Sequence, residues 1–336
     1  MVVNPAIVAL VIAALVSSLL LLYSAGFGWH LVRHWDLSSG SELQINLERH
    51  TYLISTLVAL VLATEAVSLL LFVYNADRIA PLFVGAMCAV GTLNTSAFGF
   101  PALLVKILVF FSASTWLILH HLDTRGYDYP LTRVKYGLLL AIAPLLLIES
   151  YLQIRFFLAL DTDVITSCCG SLFGTNRQAL GSELAALPPM LAMSLFYGTL
   201  TLTLAAGLAA RRWPWAGYAY ALLSALAFVV TLAAVVSFVS LYVYEHPHHH
   251  CPFCLLKAEY GYQGYLIYGP LFLATALGLG SGAVRLFSGV PSLRTVVPSL
   301  ASRLTDVSLG LFFFLLIWVG ILTAHSALVL LGNEGI

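Results

Sequence analysis

A chain of 336 residues with 60% hydrophobic and only 9% charged side chains is not a soluble globular domain, in which about a quarter of residues are charged. Its formal net charge is zero and its basic residues are few and scattered, so nothing marks a nucleic-acid surface. The composition is that of an all-α, polytopic integral membrane protein whose main partner is the lipid bilayer.

A bilayer core about 30 Å thick needs roughly 20 apolar residues per helix. Eight stretches meet that requirement, near residues 5–32, 51–75, 100–121, 135–159, 188–210, 214–243, 262–285 and 305–331. The first lacks the positively charged start of a signal peptide and is too long for one, so it reads as a retained helix. Between the second and third stretches, residues 79–92 (IAPLFVGAMCAVGT) are apolar but too short to cross comfortably, and polar residues follow at once. This predicts a re-entrant or interfacial hairpin near 79–99 rather than a further crossing. The longest polar connection is roughly 161–187, so residues 1–336 read as a single transmembrane domain. Gly278 and Gly282, one turn apart in the seventh stretch, are expected to let a neighbouring helix approach closely.

Lys and Arg in short connections orient such a bundle. With both termini outside, ten basic residues fall on the cytoplasmic side: Arg33, Arg49, Arg125, Arg133, Lys135, Arg211, Arg212, Arg285, Arg294 and Arg303. Only four (Arg78, Arg155, Arg177 and Lys257) fall outside, and Lys106 lies within a span. The expected setting is a bacterial or archaeal inner (cytoplasmic) membrane.

That orientation places the sulfur-bearing side chains after Met1 at the outer, periplasmic face. The richest cluster is the sixth-to-seventh connection, where His246, His248, His249, His250, Cys251 and Cys254 lie within nine residues, flanked by Glu245 and Glu259. Thiolate and imidazole together suit copper or zinc, and the C-x-x-C spacing can chelate one ion. The same pair can act as a redox dithiol, or form an ordinary disulfide in a solvated loop. Cys168 and Cys169 form a second cluster. Adjacent Cα atoms are about 3.8 Å apart, below the usual disulfide range, so each is better placed to pair elsewhere or share a metal. Five cysteines leave at least one unpaired or paired between chains. Met190 and Met193, one turn apart, are candidate thioether ligands for Cu(I), and Met87 adjoins Cys88 in the hairpin. Core filling is the competing role for each methionine.

Glu65, Lys106 and Glu149 fall at similar depth in the outer half of the second, third and fourth spans. Such a trio marks an ion or proton path, or a neutralising cluster that holds helices together. His30, His34, His50, His120 and His121 sit at the opposite ends of the first three spans. Two imidazoles on facing helices can ligate a b-type haem, but interfacial anchoring beside Trp29, Trp35, Arg33 and Arg49 is the stronger expectation.

An outer C-x-x-C, Cys251 and Cys254, with a second cysteine pair at Cys168 and Cys169 in another outer loop, resembles the disulfide-generating membrane enzymes of the DsbB and vitamin K epoxide reductase type. That resemblance implies thiol oxidation linked to a quinone. Three functions therefore compete. The first is a protein that takes up or passes a soft metal, copper foremost and zinc second, through His246, His248, His249, His250, Cys251 and Cys254, with Cys168, Cys169, Met190 and Met193 as relay ligands. The second is a thiol-disulfide oxidoreductase using Cys251, Cys254, Cys168 and Cys169. The third is a non-catalytic subunit of a membrane complex, or a permease accessory, with structural disulfides. Histidine clustering favours the first, with a periplasmic metal- or thiol-carrying protein as its partner.

Overall fold

The computed structural model describes residues 5–36, 41–161, 166 and 187–328. Among these residues all regular structure is helical, and eight helices are long and apolar enough to cross a membrane. The chain is thus a polytopic helical bundle with the composition of an integral membrane protein. The spanning helices are α1 (Pro5–His34), α2 (Glu42–Arg78), α4 (Gly99–Asp123), α5 (Thr132–Leu158), α6 (Pro189–Ala209), α7 (Ala216–Tyr244), α8 (Gln263–Arg285) and α9 (Val296–His325), and a short α3 (Ala89–Asn94) stands between α2 and α4.

Several helices outrun the apolar stretches that reveal them. Helix α2 starts at Glu42 because Ser41 caps it, its hydroxyl accepting from the Gln44 amide at 3.3 Å. The added turns carry Gln44, Asn46, Glu48, Arg49 and His50, which hydropathy does not score as membrane-embedded. Helix α9 likewise begins at Val296, ahead of Arg303. Residues 79–99 contain no helix long enough to span a bilayer. They form one 3₁₀ turn (Ala80–Leu82), a bend at Gly85 and the six-residue α3, whose length of about 9 Å is a fraction of a bilayer.

The chain divides into two compact units. In the first, comprising residues 1–84, 92–165 and 289–296, α1 packs on α2 and α5, and α4 packs on the same two, so the four helices close into a ring. Its core holds Leu62, Trp116, Tyr136, Leu139 and Leu146, all buried. It also holds charge. Lys106 meets Glu149 at 2.7 Å and Lys135 meets Asp123 at 2.6 Å, with all four side chains at 2% exposure or less. Asp123 also accepts from the Leu131 amide at 2.7 Å, tying the α4–α5 turn.

In the second unit, comprising residues 85–91, 166–288 and 297–336, α7 is central and packs against α6 and α8. The small residues set the spacing. A Cβ on Gly278 would come within 2.3 Å of Ser224 Oγ, and one on Gly282 within 2.5 Å of Ala221 Cβ, so α7 and α8 touch along that stripe. Helix α9 joins through buried hydroxyls. Tyr220 donates to Ser308 at 2.6 Å, Ser308 donates to the Ala274 carbonyl at 2.6 Å, and Ser281 and Thr305 are 2.7 Å apart.

Helix α7 is not uniform. Over Val235–Val239 it widens into a π turn, in which the Ser240 amide bonds the Val235 carbonyl. The Val236 carbonyl thereby loses its usual amide partner and is available to a side chain. Neither proline nor glycine marks this turn in the sequence.

Candidate metal centre

Three cysteines converge in the second unit. The Sγ atoms of Cys88, Cys251 and Cys254 all lie within 4.8 Å of one another, the Cys88–Cys251 pair at 3.3 Å. All three are thiols and all three are buried, at 0%, 1% and 6% exposure.

The loop after α7 is shaped to deliver two of them. Glu245 leaves the helix in the left-handed region, at φ +52°, which costs about 1–2 kcal/mol for a residue with a Cβ. Its carboxylate accepts from the Ala327 amide at 2.9 Å and helps hold the bend. Beyond it, the Tyr244 hydroxyl donates to the Cys251 carbonyl at 2.6 Å and Tyr268 donates to the Pro252 carbonyl at 2.7 Å. Cys254 opens a 3₁₀ turn that runs to Leu256. That turn sits directly on the start of α8, where a Cβ on Gly264 would come within 2.7 Å of Leu256 Cδ2. Cys88 arrives from the 85–91 segment. Lys257 donates to the Met87 carbonyl, and Thr166 donates to the Gly91 carbonyl at 3.0 Å. Gly85, at φ +85°, passes so close to the Thr166 carbonyl that any Cβ would collide with it.

This donor set fits a soft metal ion. Sulfurs bound at about 2.3 Å around one ion stand about 3.8 Å apart in a tetrahedral arrangement and about 4.0 Å apart in a trigonal plane. The observed trio is already near that size. The Cys251 thiol is pushed up to about 12, first by its hydrogen bond to Cys254 and further by burial, while the hydrogen bond to Cys88 works in the opposite direction. An incoming cation would displace these thiol protons.

The histidine-rich loop divides by burial. His246 and His248 are exposed, their rings 6.0 Å apart. His249 is half-buried on the Tyr244 ring at 4.2 Å, and His250 is buried. The His250 Nδ1 lies 2.8 Å from the Val236 carbonyl left open by the π turn. It must donate there, which puts the lone pair of the neutral ring on Nε2. Burial lowers the pKa of both His249 and His250. Beside this loop an open cleft of about 490 Å³ is bordered by Tyr242, Glu245, Glu259, Tyr260 and His325. The Tyr260 ring lies 4.3 Å from that of Tyr244, tilted by 56°.

Of the remaining predicted ligands, Cys168 and Cys169 lie outside the described residues. Met190 is exposed and Met193 only half-buried, on the first turns of α6. Cys88 is the candidate ligand that sequence reasoning left out. Its one signal was a shared membrane face with the other cysteines.

The other predicted clusters belong to the first unit. Lys106 contacts Glu149 directly and reaches Glu65 through Ser68, donating to the Ser68 hydroxyl at 2.8 Å, while Ser68 lies 3.0 Å from Glu65 Oε2. Among the candidate haem ligands, the rings of His30 and His34 lie 4.3 Å apart on α1, tilted by 34°. His34 and His50 direct Nδ1 to the carbonyls of His30 and Asn46. His30 and His50 border an open groove of about 420 Å³ with Glu42 and Asn46. His120 stacks on Trp116, and its Nδ1 faces the Lys135 ammonium at 3.3 Å. That Nδ1 must accept, which puts the proton of the neutral ring on Nε2. His121 is exposed.

No family model, curated protein or solved structure matches the chain. Fold and site together define a polytopic helical membrane protein with a buried three-cysteine cluster able to hold a metal ion.

Proposed function

We propose that the protein binds a soft metal ion, copper(I) foremost, at Cys88, Cys251 and Cys254 on the periplasmic face of an inner membrane. The observation that carries this reading is the mutual approach of three buried sulfurs within 4.8 Å. Three thiolates satisfy copper(I), whereas zinc ordinarily completes a tetrahedron with a fourth nitrogen or sulfur. The exposed His246 and His248 are the first contact for an ion delivered by a periplasmic carrier. The thiols are its buried destination. The excess of Lys and Arg in the opposite connections supports the outward orientation.

Elemental analysis of protein purified without chelator tests this reading. Wild type should retain a stoichiometric soft metal ion, and Cys88→Ser/Cys251→Ser/Cys254→Ser should retain none. Equal metal content in the two proteins would reject these ligands.

The 3.3 Å separation of Cys88 and Cys251 supports a second reading, a redox dithiol. Forming that disulfide releases two protons and two electrons, which pass to a quinone or to a partner disulfide. Trapping with an alkylating mass tag separates the two readings. A metal site keeps three labelable cysteines here after denaturation in chelator under air-free conditions, and a redox site isolated in its oxidised form keeps one.

A further inference from the structure

The thiol centre makes no use of the buried charges of the first unit, and these do not balance. Glu65, Lys106 and Glu149 carry two acids against one base, and their side chains are 3%, 2% and 0% exposed. Lys106 makes its ion pair with Glu149 Oε1 at 2.7 Å. It serves Glu65 only indirectly, through the Ser68 hydroxyl. The second oxygen of Glu65, Oε1, is buried with no hydrogen-bond partner among the described residues. The other titratable groups meeting this point are Lys106 from α4 and Glu149 from α5. From α1 the cluster receives only a neutral hydroxyl, as Ser18 donates to Ser150 at 2.9 Å and Ser150 lies 3.4 Å from Glu149 Oε2.

A net negative charge at this depth is unfavourable unless it is compensated. Lys106 offsets one of the two carboxylates, so the cluster is neutral when the two carboxyl groups carry one proton between them. We propose that Glu65, Lys106 and Glu149 form a proton-binding site within the membrane, in which the two carboxyl groups together hold one proton. Losing that proton takes the cluster from neutral to a single negative charge, and regaining it reverses the change. The bond made and broken is the O–H of one carboxylic acid of this pair, and bulk water is both source and sink. The site is independent of the thiol centre and stands whether or not that centre binds metal.

Infrared difference spectroscopy of the full-length protein in lipid nanodiscs, titrated across neutral pH, tests the assignment. Wild type should show one carbonyl stretch of a protonated carboxylic acid that shifts on exchange into heavy water. Glu65→Gln, which mimics the neutral acid, should fold and lack the band. Glu149→Gln should lack it as well, because Lys106 then neutralises an ionised Glu65. Lys106→Met should show about double the intensity, since both acids must then be neutral. A wild type with no such band at neutral pH, or a band that survives Glu65→Gln, overturns the proposal. The Glu65→Gln comparison decides it even if the other two variants do not fold.

Discussion

The two units bury polarity in different forms. The first encloses formed charges, the Lys106–Glu149 and Lys135–Asp123 pairs, both inaccessible. The second encloses neutral donors, the hydroxyls of Tyr220, Ser281, Thr305 and Ser308 and the three thiols. Its ion pair, Arg211 with Asp306 at 2.7 Å, is about half exposed. A buried ion pair is costly to break, because removing one partner strands the other. A thiol cluster carries no charge until protons leave, so it can receive a cation without reorganising a salt bridge. The first unit is thus built around permanent charge and the second around groups that stay neutral until protons leave.

Breaking a permanent pair should have the largest effect. Lys135→Met strands Asp123 inside the first unit and should cost about 3–5 kcal/mol, read as a lowered melting temperature in detergent. Adding Asp123→Asn should recover part of that loss, and a single variant that melts like wild type would remove the contrast. Loading the thiols should come next. Copper(I) at a hundredfold excess over its dissociation constant should stabilise the protein by about 2.7 kcal/mol. The upward shift in melting should vanish in the triple serine variant. The smallest effect belongs to the exposed pair, where Asp306→Asn should cost about 0–1 kcal/mol. A loss as large as that of Lys135→Met would show that exposure does not govern these pairs.

Much of the fold was legible because lipid imposes a length and a composition on each span. The eight helices follow from that constraint, as does the absence of a long helix within residues 79–99. The helix starts were less legible. Glu42–His50 is helical through a Ser41 cap and polar turns that a hydropathy profile passes over. The π turn at Val235–Val239 was illegible, because the Val236 carbonyl it frees takes its partners from side chains, the Ser240 hydroxyl and His250 of the folded loop. The site was half legible. Cys251 and Cys254 stand out by their spacing, whereas Cys88 lies 163 residues from Cys251 inside an unremarkable apolar run. Glu65, Lys106 and Glu149 could be matched in depth from helix rise alone. Their division into one direct pair and one acid reached through Ser68 required side-chain positions.

The distance along the chain between Cys88 and Cys251 also bears on how the protein is made. Those 163 residues take about 8–33 s to synthesise at 5–20 residues per second. During that interval the first thiol has left the ribosome while four later spans are still being inserted. A nascent chain therefore has no complete three-sulfur centre until its seventh span is emerging, and any metal held by all three sulfurs would be acquired only at the end of biogenesis.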